Sequence, residues 1–135
     1  MTAVLVDSNV LLDVMTEDAS RLSWSVSAVE RAADKSRLVI NPVIYAEASV
    51  RSRESRSSTR HCRAICSSGE PIPYEAAFLA GKAYLAYRRR GGTRRSPLPD
   101  FFIGAHAAVS SYRLLTRDSA RYRAYFPKLS LIAPD

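Results

Sequence analysis

The fold of this chain is decided by the stretch VLVDSNVLLD, from Val4 to Asp13. It begins with a short and wholly apolar run, which is typical of a strand buried on both faces of a sheet. Ser8 or Asn9 can cap the helix that the following apolar run predicts. Asp7 would then lie at the carboxyl end of a central strand and beside a helix N-terminus. Open α/β sheets bind their ligands at this place.

Length and composition favour one globular domain, residues 1–135, with a hydrophobic content of 47%. The two cysteines, Cys62 and Cys66, have only His61 nearby and do not complete a zinc site, so we interpret them as free thiols in a reducing compartment. The chain starts without a basic leader, and no apolar run approaches the roughly 18 residues of a membrane span. The sequence therefore predicts a soluble, cytoplasmic protein with no membrane partner.

The charge of the chain points to a polyanionic partner. The formal net charge is +7, and 17 of the 20 basic residues are arginine. Contact with phosphates gives small basic proteins a sequence-independent affinity for nucleic acid, because it releases counterions. Arginine also suits bidentate recognition of phosphate or carboxylate. The alternative is that the arginine content reflects only the composition of a GC-rich genome.

Apolar patterning predicts alternating strands and helices. The predicted strands are residues 3–6, 38–40, 114–115 and 129–132. The predicted helices cover 8–15, 21–35, a segment opened by Asn41-Pro42, 74–90, a segment opened by Pro99-Asp100, and 121–125. Such alternation favours right-handed parallel crossovers and an α/β fold.

The pattern fails between residues 51 and 69, in RSRESRSSTRHCRAICSSG. This stretch holds five arginines and six serines, and its only large aliphatic residue is Ile65. No helical apolar stripe can be drawn through it, so it lacks the residues that anchor a segment in a core. A basic arm that contacts RNA is one interpretation. A disordered or poorly packed connector is the other, and we favour it.

A second basic cluster follows the predicted helix 74–90 and precedes Asp100. It consists of Arg88, Arg89, Arg90, Arg94 and Arg95, with Gly91-Gly92 as the helix stop. These arginines could simply complement the negative C-terminal end of the helix dipole on a solvated face. They could equally form a rim that binds the phosphates of RNA.

Four acids fall where a parallel sheet presents its carboxyl edge. Asp7 and Asp118 follow predicted strands, Asp100 starts a helix, and Glu47 lies on the helix after the second strand. Each alone is explained as a cap or a surface charge. Together they would repel one another, and a hard divalent ion such as Mg²⁺ or Mn²⁺ relieves such repulsion. A metal held in this way activates water and offsets charge on a phosphate under attack.

Four sequence blocks, taken in order, closely resemble the PIN domain, and above all the VapC-type toxins of type II toxin–antitoxin systems. The blocks are VDSNVLLD, YAEAS around Glu47, LPDFFIGAHA around Asp100 and LLTRDSARYRAYFP around Asp118. The resemblance covers residues 1–50 and 70–135. It implies a three-layer α/β/α fold with a mainly parallel central sheet. It also implies a homodimer with Mg²⁺-dependent endoribonuclease activity on RNA, such as tRNA or rRNA, and inhibition by a cognate VapB-type antitoxin.

The resemblance assigns roles by motif. Asp7, Asp100 and Asp118 look like ligands of the Mg²⁺ or Mn²⁺ ion, and Glu47 completes the catalytic set directly or through metal-bound water. Asn9 and Thr116 match the small polar positions that orient acids or waters. Residues 51–69 depart from the family, which usually has regular helical sequence there. A frameshifted segment, real divergence and disorder are the open explanations.

Other functions fit less well. A catalytically silent PIN-like module that binds antitoxin or RNA without cleavage is the main alternative, motivated by the abnormal stretch 51–69. A phospho-acceptor receiver domain needs a second acid beside Asp7 and a lysine late in the sheet, and the chain has only Lys35, Lys82 and Lys128. Nucleotide-binding folds are disfavoured because neither G-x-G-x-x-G nor a P-loop occurs. His106 is interpreted as a hydrogen-bonded residue of a buried helix.

Overall fold

A computed structural model describes residues 3–16, 22–51, 68–95 and 98–134. Its strands are β1 (Ala3–Val6), β2 (Arg37–Ile40), β3 (Ser68–Gly69), β4 (Arg113–Leu115) and β5 (Leu131–Ile132). Its helices are α1 (Ser8–Thr16), α2 (Leu22–Lys35), α3 (Pro42–Arg51), α4 (Tyr74–Arg89), α5 (Pro99–Ser110) and α6 (Ala120–Tyr125). The predicted α/β fold is confirmed.

The five strands form one sheet in the order β3-β2-β1-β4-β5, and every neighbouring pair is parallel. β1 is central, with Leu5 opposite Val39 on one side and Leu114 on the other, and all of its residues are buried. Its wholly apolar sequence is thereby explained. β3 was not predicted, because Ser68–Gly69 has no apolar residue, and it pairs with β2 in the sheet.

Helices cover both faces of the sheet. From β1 the chain moves outward through β2 to β3, and then crosses to β4 and β5 on the other side of β1. Since parallel crossovers are right-handed, this reversal places the two sets of helices on opposite faces. In agreement, α1 contacts α2 and α3, and α4 contacts α5 and α6, although α3 also contacts α5. The predicted three-layer arrangement is confirmed, and it has a topological switch point between β1 and β4.

The observed capping residue is the predicted one at helix α3 but a different one at helix α1. Asn41 caps α3 as predicted, because its Oδ1 accepts a hydrogen bond from the Ile44 amide at 2.9 Å. The predicted caps of α1 were wrong, since that helix already starts at Ser8. The capping position belongs to Asp7, whose Oδ1 accepts from the Ser8 amide at 2.7 Å.

Some expectations concern other parts of the chain. Cys62, Cys66 and nearly all of the arginine- and serine-rich stretch lie outside the described residues, as does Ser20, the expected cap of α2. Within the described ranges, no helix is both long and apolar enough to cross a membrane.

Candidate active site

The four predicted acids line one cavity of about 250 Å³ at the carboxyl edge of the sheet. They come from well-separated parts of the chain: the end of β1, helix α3, the start of α5 and the segment after β4. The lining residues are Asp7, Ser8, Asn9, Leu12, Glu47, Asp100, Arg117, Asp118 and Tyr122. The cavity opens at the switch point, where α/β sheets bind ligands.

Asp7 lies at the bottom of this cavity and is only 3% exposed. Its Oδ2 accepts hydrogen bonds from the Thr116 hydroxyl at 2.8 Å and the Tyr122 hydroxyl at 2.9 Å. Burial raises its pKa from 3.8 to about 6, because the charged carboxylate loses its water. The nearby charge of Asp100 contributes to this rise, and the hydrogen bonds offset part of it. The fold therefore holds Asp7 where its negative charge is unfavourable.

Asn9 and Thr116 tie helix α1 to the segment that follows β4. The Asn9 Nδ2 lies 3.3 Å from the Thr116 hydroxyl oxygen and 3.5 Å from Asp7 Oδ2. The Asn9 Oδ1 accepts from the Arg117 amide at 3.1 Å, and Thr116 accepts from the Asp118 amide at 3.1 Å. Both residues therefore contact the acids they were expected to orient, and their role in function stays a prediction.

Tyr122 is a buried hydroxyl donor between two of the acids. Its oxygen lies 2.9 Å from Asp7 Oδ2 and 3.4 Å from Asp100 Oδ1, and the residue is 1% exposed. Burial and the charges of both acids raise the pKa of Tyr122 far above its ordinary value. The phenol thus remains protonated and has one proton to share between two carboxylates.

The other acids lie nearer the mouth of the cavity. Burial raises the pKa of Asp100, and the Arg121 guanidinium, whose Nη1 lies 3.3 Å away, counteracts that effect. The Glu47 Oε1 accepts a hydrogen bond from the Ser8 hydroxyl at 2.9 Å. Ser8 thereby links α1 to α3 across the cavity, and Asp118 completes the acidic wall.

Three polar residues of the cavity were missed from sequence: Ser8, Arg117 and Tyr122. Ser8 and Arg117 are chain neighbours of predicted site residues, and that adjacency was the available signal. Tyr122 lies within the block LLTRDSARYRAYFP that carries the resemblance, but the short helix ARYRAY has no local pattern that marks this tyrosine as a site residue. Its place in the site depends on the packing of α6 against α5.

The oxygen donors of this cavity suit a hard divalent ion in their chemistry. The raised pKa values of Asp7 and Asp100 also mean that the acids gain from a positive charge between them. Within the described ranges, however, no three acidic, histidine or cysteine side chains are grouped closely enough to surround one ion. The Tyr122 hydroxyl lies between the two acids instead, so binding by three carboxylates requires side-chain adjustment.

The predicted basic rim does not line the cavity, although all five arginines are exposed. The Arg88 Nη1 donates to the carbonyls of Gly92 at 3.2 Å and Arg94 at 3.3 Å, as expected for a cation at a helix C-terminus. The Arg90 guanidinium stacks on the Tyr125 ring at 4.8 Å. RNA binding by Arg88, Arg89, Arg90, Arg94 and Arg95 stays a prediction.

His106 lies apart from this cavity and is fully buried, as expected. Its Nδ1 is 3.0 Å from the Asn41 Nδ2, so the predicted hydrogen bond is confirmed. Its Nε2 has no hydrogen-bond partner among the described residues and lies 3.7 Å from Glu70 Oε2.

Comparison with known proteins identifies the fold. No protein-family model matches the chain, and no curated protein matches its sequence. Among solved structures, VapBC2 from Rickettsia felis, bound to a promoter DNA fragment, gives a TM-score of 0.73 at 16% identity over 98% of this chain and 99% of that one. VapBC-1 from nontypeable Haemophilus influenzae gives 0.70 at 16% identity, covering 97% of both chains. A toxin–antitoxin complex from Klebsiella pneumoniae gives 0.70 at 21% identity, covering 98% of both. The predicted resemblance to the VapC-type PIN fold is confirmed.

Proposed function

We propose that this chain is the toxin of a type II toxin–antitoxin system and acts as a metal-dependent endoribonuclease. The observation that carries the proposal is the convergence of Asp7, Glu47, Asp100 and Asp118 on one cavity at the switch point of the sheet. Two further facts support it. The fold is shared with chains from toxin–antitoxin complexes, and the net charge of +7 attracts a polyanion.

The acids of the cavity would hold Mg²⁺ or Mn²⁺, with Asp7, Asp100 and Asp118 as ligands and Glu47 acting directly or through water. When bound, the ion supplies an activated water and compensates charge on the phosphate during in-line displacement. Thr116, Tyr122 and the Ser8 amide fix the orientation of the Asp7 carboxylate. Asp100 lies nearer the mouth, where it can meet the incoming RNA strand.

The proposed partners follow from the same family resemblance. We propose a cognate VapB-type antitoxin, a homodimer and an RNA substrate such as tRNA or rRNA. The similar structures include toxin–antitoxin complexes, two of which are bound to DNA. They support an antitoxin partner for this chain.

Cleavage of structured RNA tests the proposed activity. We expect cleavage that requires Mn²⁺ or Mg²⁺ and falls about 100-fold or more in Asp7→Asn and Asp100→Asn, beyond the 10- to 100-fold effects typical of outer-shell partners. Asp34→Asn is the matched control, because this acid is exposed on α2 and does not line the cavity. Equal cleavage by all four proteins would reveal a contaminating nuclease and sink the proposal.

A catalytically silent module is the second candidate, and the hydrogen bonding of Asp7 favours it. Both carboxylate oxygens of Asp7 already accept hydrogen bonds. Within the described ranges, no three His, Cys, Asp or Glu side chains are close enough together to hold one metal ion. Titration of Mn²⁺ into metal-free protein separates the two candidates. Heat of binding that disappears in Asp100→Asn supports the nuclease. Absence of binding, with antitoxin or RNA still bound, supports the silent module.

A further inference from the structure

Arg117 extends into the acidic cavity from the segment after β4, between Thr116 and Asp118. Its side chain is 23% exposed, so one part is buried and the other reaches solvent. Its amide donates to Asn9 Oδ1 at 3.1 Å, and its Nε donates to the carboxylate of Asp13. Both ends of the residue are therefore fixed to helix α1.

Asp13 is a buried acid that does not line the cavity. It is 4% exposed, and its Oδ2 accepts a hydrogen bond from the Ser25 hydroxyl of α2 at 2.6 Å. A buried carboxylate is costly unless it is both paired and hydrogen-bonded. Arg117 supplies the pairing charge and Ser25 the second hydrogen bond. The chain of contacts Ser25–Asp13–Arg117 thus links the interior of the α1–α2 layer to the acidic site.

The geometry of this contact leaves one part of the guanidinium available. Asp13 occupies the Nε, and no side chain of the described ranges accepts a hydrogen bond from the two Nη groups. Two Nη donors on a planar group match the spacing of phosphate oxygens. Arg117 is also the one basic residue among those that line the cavity in the described part of the chain. A polyanion approaching the four acids would meet this fixed cation in the cavity wall, besides Arg121, which is paired with Asp100.

We propose that Arg117 binds a phosphate of the RNA strand at the acidic site, and that Asp13 and Ser25 are positioning residues for it. The inference rests on the proposed function, because the phosphate is that of the proposed RNA substrate. It adds a contact inside the cavity to the predicted basic rim, which lies outside it. The ion pair with buried Asp13 explains how Arg117 is held beside the four acids of the cavity without forming an ion pair with one of those four.

RNA binding without metal tests the role of Arg117. A short fluorescent single-stranded RNA of mixed sequence is titrated with the chain in EDTA, where metal-dependent cleavage cannot proceed. We expect Arg117→Ala to weaken binding about tenfold, as for loss of a charge-assisted contact. The slope of log affinity against log salt should become shallower by about 0.7, the value for one phosphate of a single strand.

Arg113→Ala is the matched control for this measurement. Arg113 is the first residue of β4 and therefore lies at the amino end of this strand, whereas Arg117 follows its carboxyl end. Arg113 is also exposed. Its replacement removes the same charge and should leave affinity and slope close to those of the unsubstituted chain. If Arg117→Ala fails to fold, Arg117→Lys serves instead. It keeps the charge but loses the planar fork, and it should bind RNA more weakly than the unsubstituted chain.

A double-mutant cycle tests the positioning role of Asp13. Asp13→Asn should weaken RNA binding by itself and add nothing further in the Arg117→Ala background, because it acts only through Arg117. An effect of Asp13→Asn that adds in full to that of Arg117→Ala would show a separate structural role and overturn this part of the inference.

The outcomes separate this inference from the proposed function. Binding that depends on Arg117, without any cleavage in Mn²⁺, overturns the nuclease and keeps the phosphate contact. Cleavage that depends on Asp100, with unchanged affinity and slope in Arg117→Ala, keeps the nuclease and overturns the contact. A chain that neither binds RNA in EDTA nor cleaves it in Mn²⁺ overturns both.

Discussion

The fold buries Asp7 where ionisation of its carboxylate is unfavourable, and a pH titration of stability can measure this cost. Burial moves its pKa from 3.8 to about 6, although the Thr116 and Tyr122 hydroxyls both donate to its carboxylate. The shift corresponds to roughly 3 kcal/mol of unfavourable ionisation at neutral pH. A ligand with positive charge, bound at the cavity, would remove most of this cost.

We predict that Asp7 destabilises the metal-free protein as the pH rises. Its folded pKa exceeds its unfolded pKa, so its favourable contribution is complete below about pH 3.8 and is lost as the pH rises through about 6. The side chain at this position cannot ionise in the Asp7→Asn variant. The free energy of unfolding of this variant, relative to the unsubstituted chain, should therefore rise by up to about 3 kcal/mol between about pH 3.8 and about pH 8. Denaturant unfolding in EDTA at several pH values measures the difference.

His106 makes this comparison between variants necessary. Burial lowers the pKa of His106, so its contribution is lost as the pH falls, which opposes the effect of Asp7. Subtracting the two unfolding curves cancels His106 and leaves the titration of Asp7, together with that of Asp100, to which it is coupled by charge. Asp34→Asn, an exposed substitution, should give a difference that hardly varies with pH. A flat difference for Asp7→Asn as well would contradict the prediction.

At the scale of elements, the site depends on close packing of α6 and the following residues against α5. A Cβ at Gly104 in α5 would lie 2.6 Å from the ring of Phe126 and 3.1 Å from the ring of Tyr122. Glycine is therefore required here by close approach, and the same approach places the Tyr122 hydroxyl between Asp7 and Asp100. Movement of α6 would change the acidic site.

Gly104→Ala and Gly81→Ala should have opposite effects on stability. Alanine favours a helix over glycine by about 1 kcal/mol. At Gly81 in α4 nothing lies within 4 Å of the added Cβ, so that gain should appear in full. At Gly104 the clash with Phe126 should outweigh it, with a net loss of about 1–3 kcal/mol. Denaturant unfolding of both variants checks the prediction, and stabilisation by Gly104→Ala would show that α6 adjusts freely.

At the scale of the whole molecule, charge and topology have different roles. The sheet reversal between β1 and β4 creates a cavity whose walls are acidic. The chain as a whole carries a net charge of +7, which can attract RNA from a distance. Long-range attraction by exposed arginines should depend on salt far more than contacts buried in the cavity.

The basic rim gives a prediction at this scale. Arg88 and Arg90 are engaged with backbone carbonyls and with Tyr125, so Arg89, Arg94 and Arg95 are the better candidates for phosphate contact. Replacing two of them, Arg89 and Arg95, by alanine should make the slope of log affinity against log salt shallower by about 1.4, or 0.7 for each phosphate. Arg31→Ala on α2 is the exposed control. An unchanged slope would leave the rim as a solvated face.

Most strands and helix ends of this protein could be predicted from patterns among neighbouring residues. Short apolar runs identified β1, β2, β4 and β5, and helical periodicity placed most helix ends within one or two residues. The position of Asp7 after a central strand followed from the same patterns. These inferences succeed because hydrophobic periodicity and capping are properties of neighbouring residues. Strand β3 was missed for the same reason, since Ser68–Gly69 has no pattern of its own.

Which side chains complete the cavity depends on tertiary packing and could not be predicted from the sequence. Tertiary packing brought Tyr122 between Asp7 and Asp100, attached Arg117 to Asp13, and left the predicted arginine rim outside the cavity wall. These contacts join residues that lie more than 20 positions apart in sequence. They depend on how helices pack across the switch point, and packing of this kind leaves no local periodicity from which it could be read.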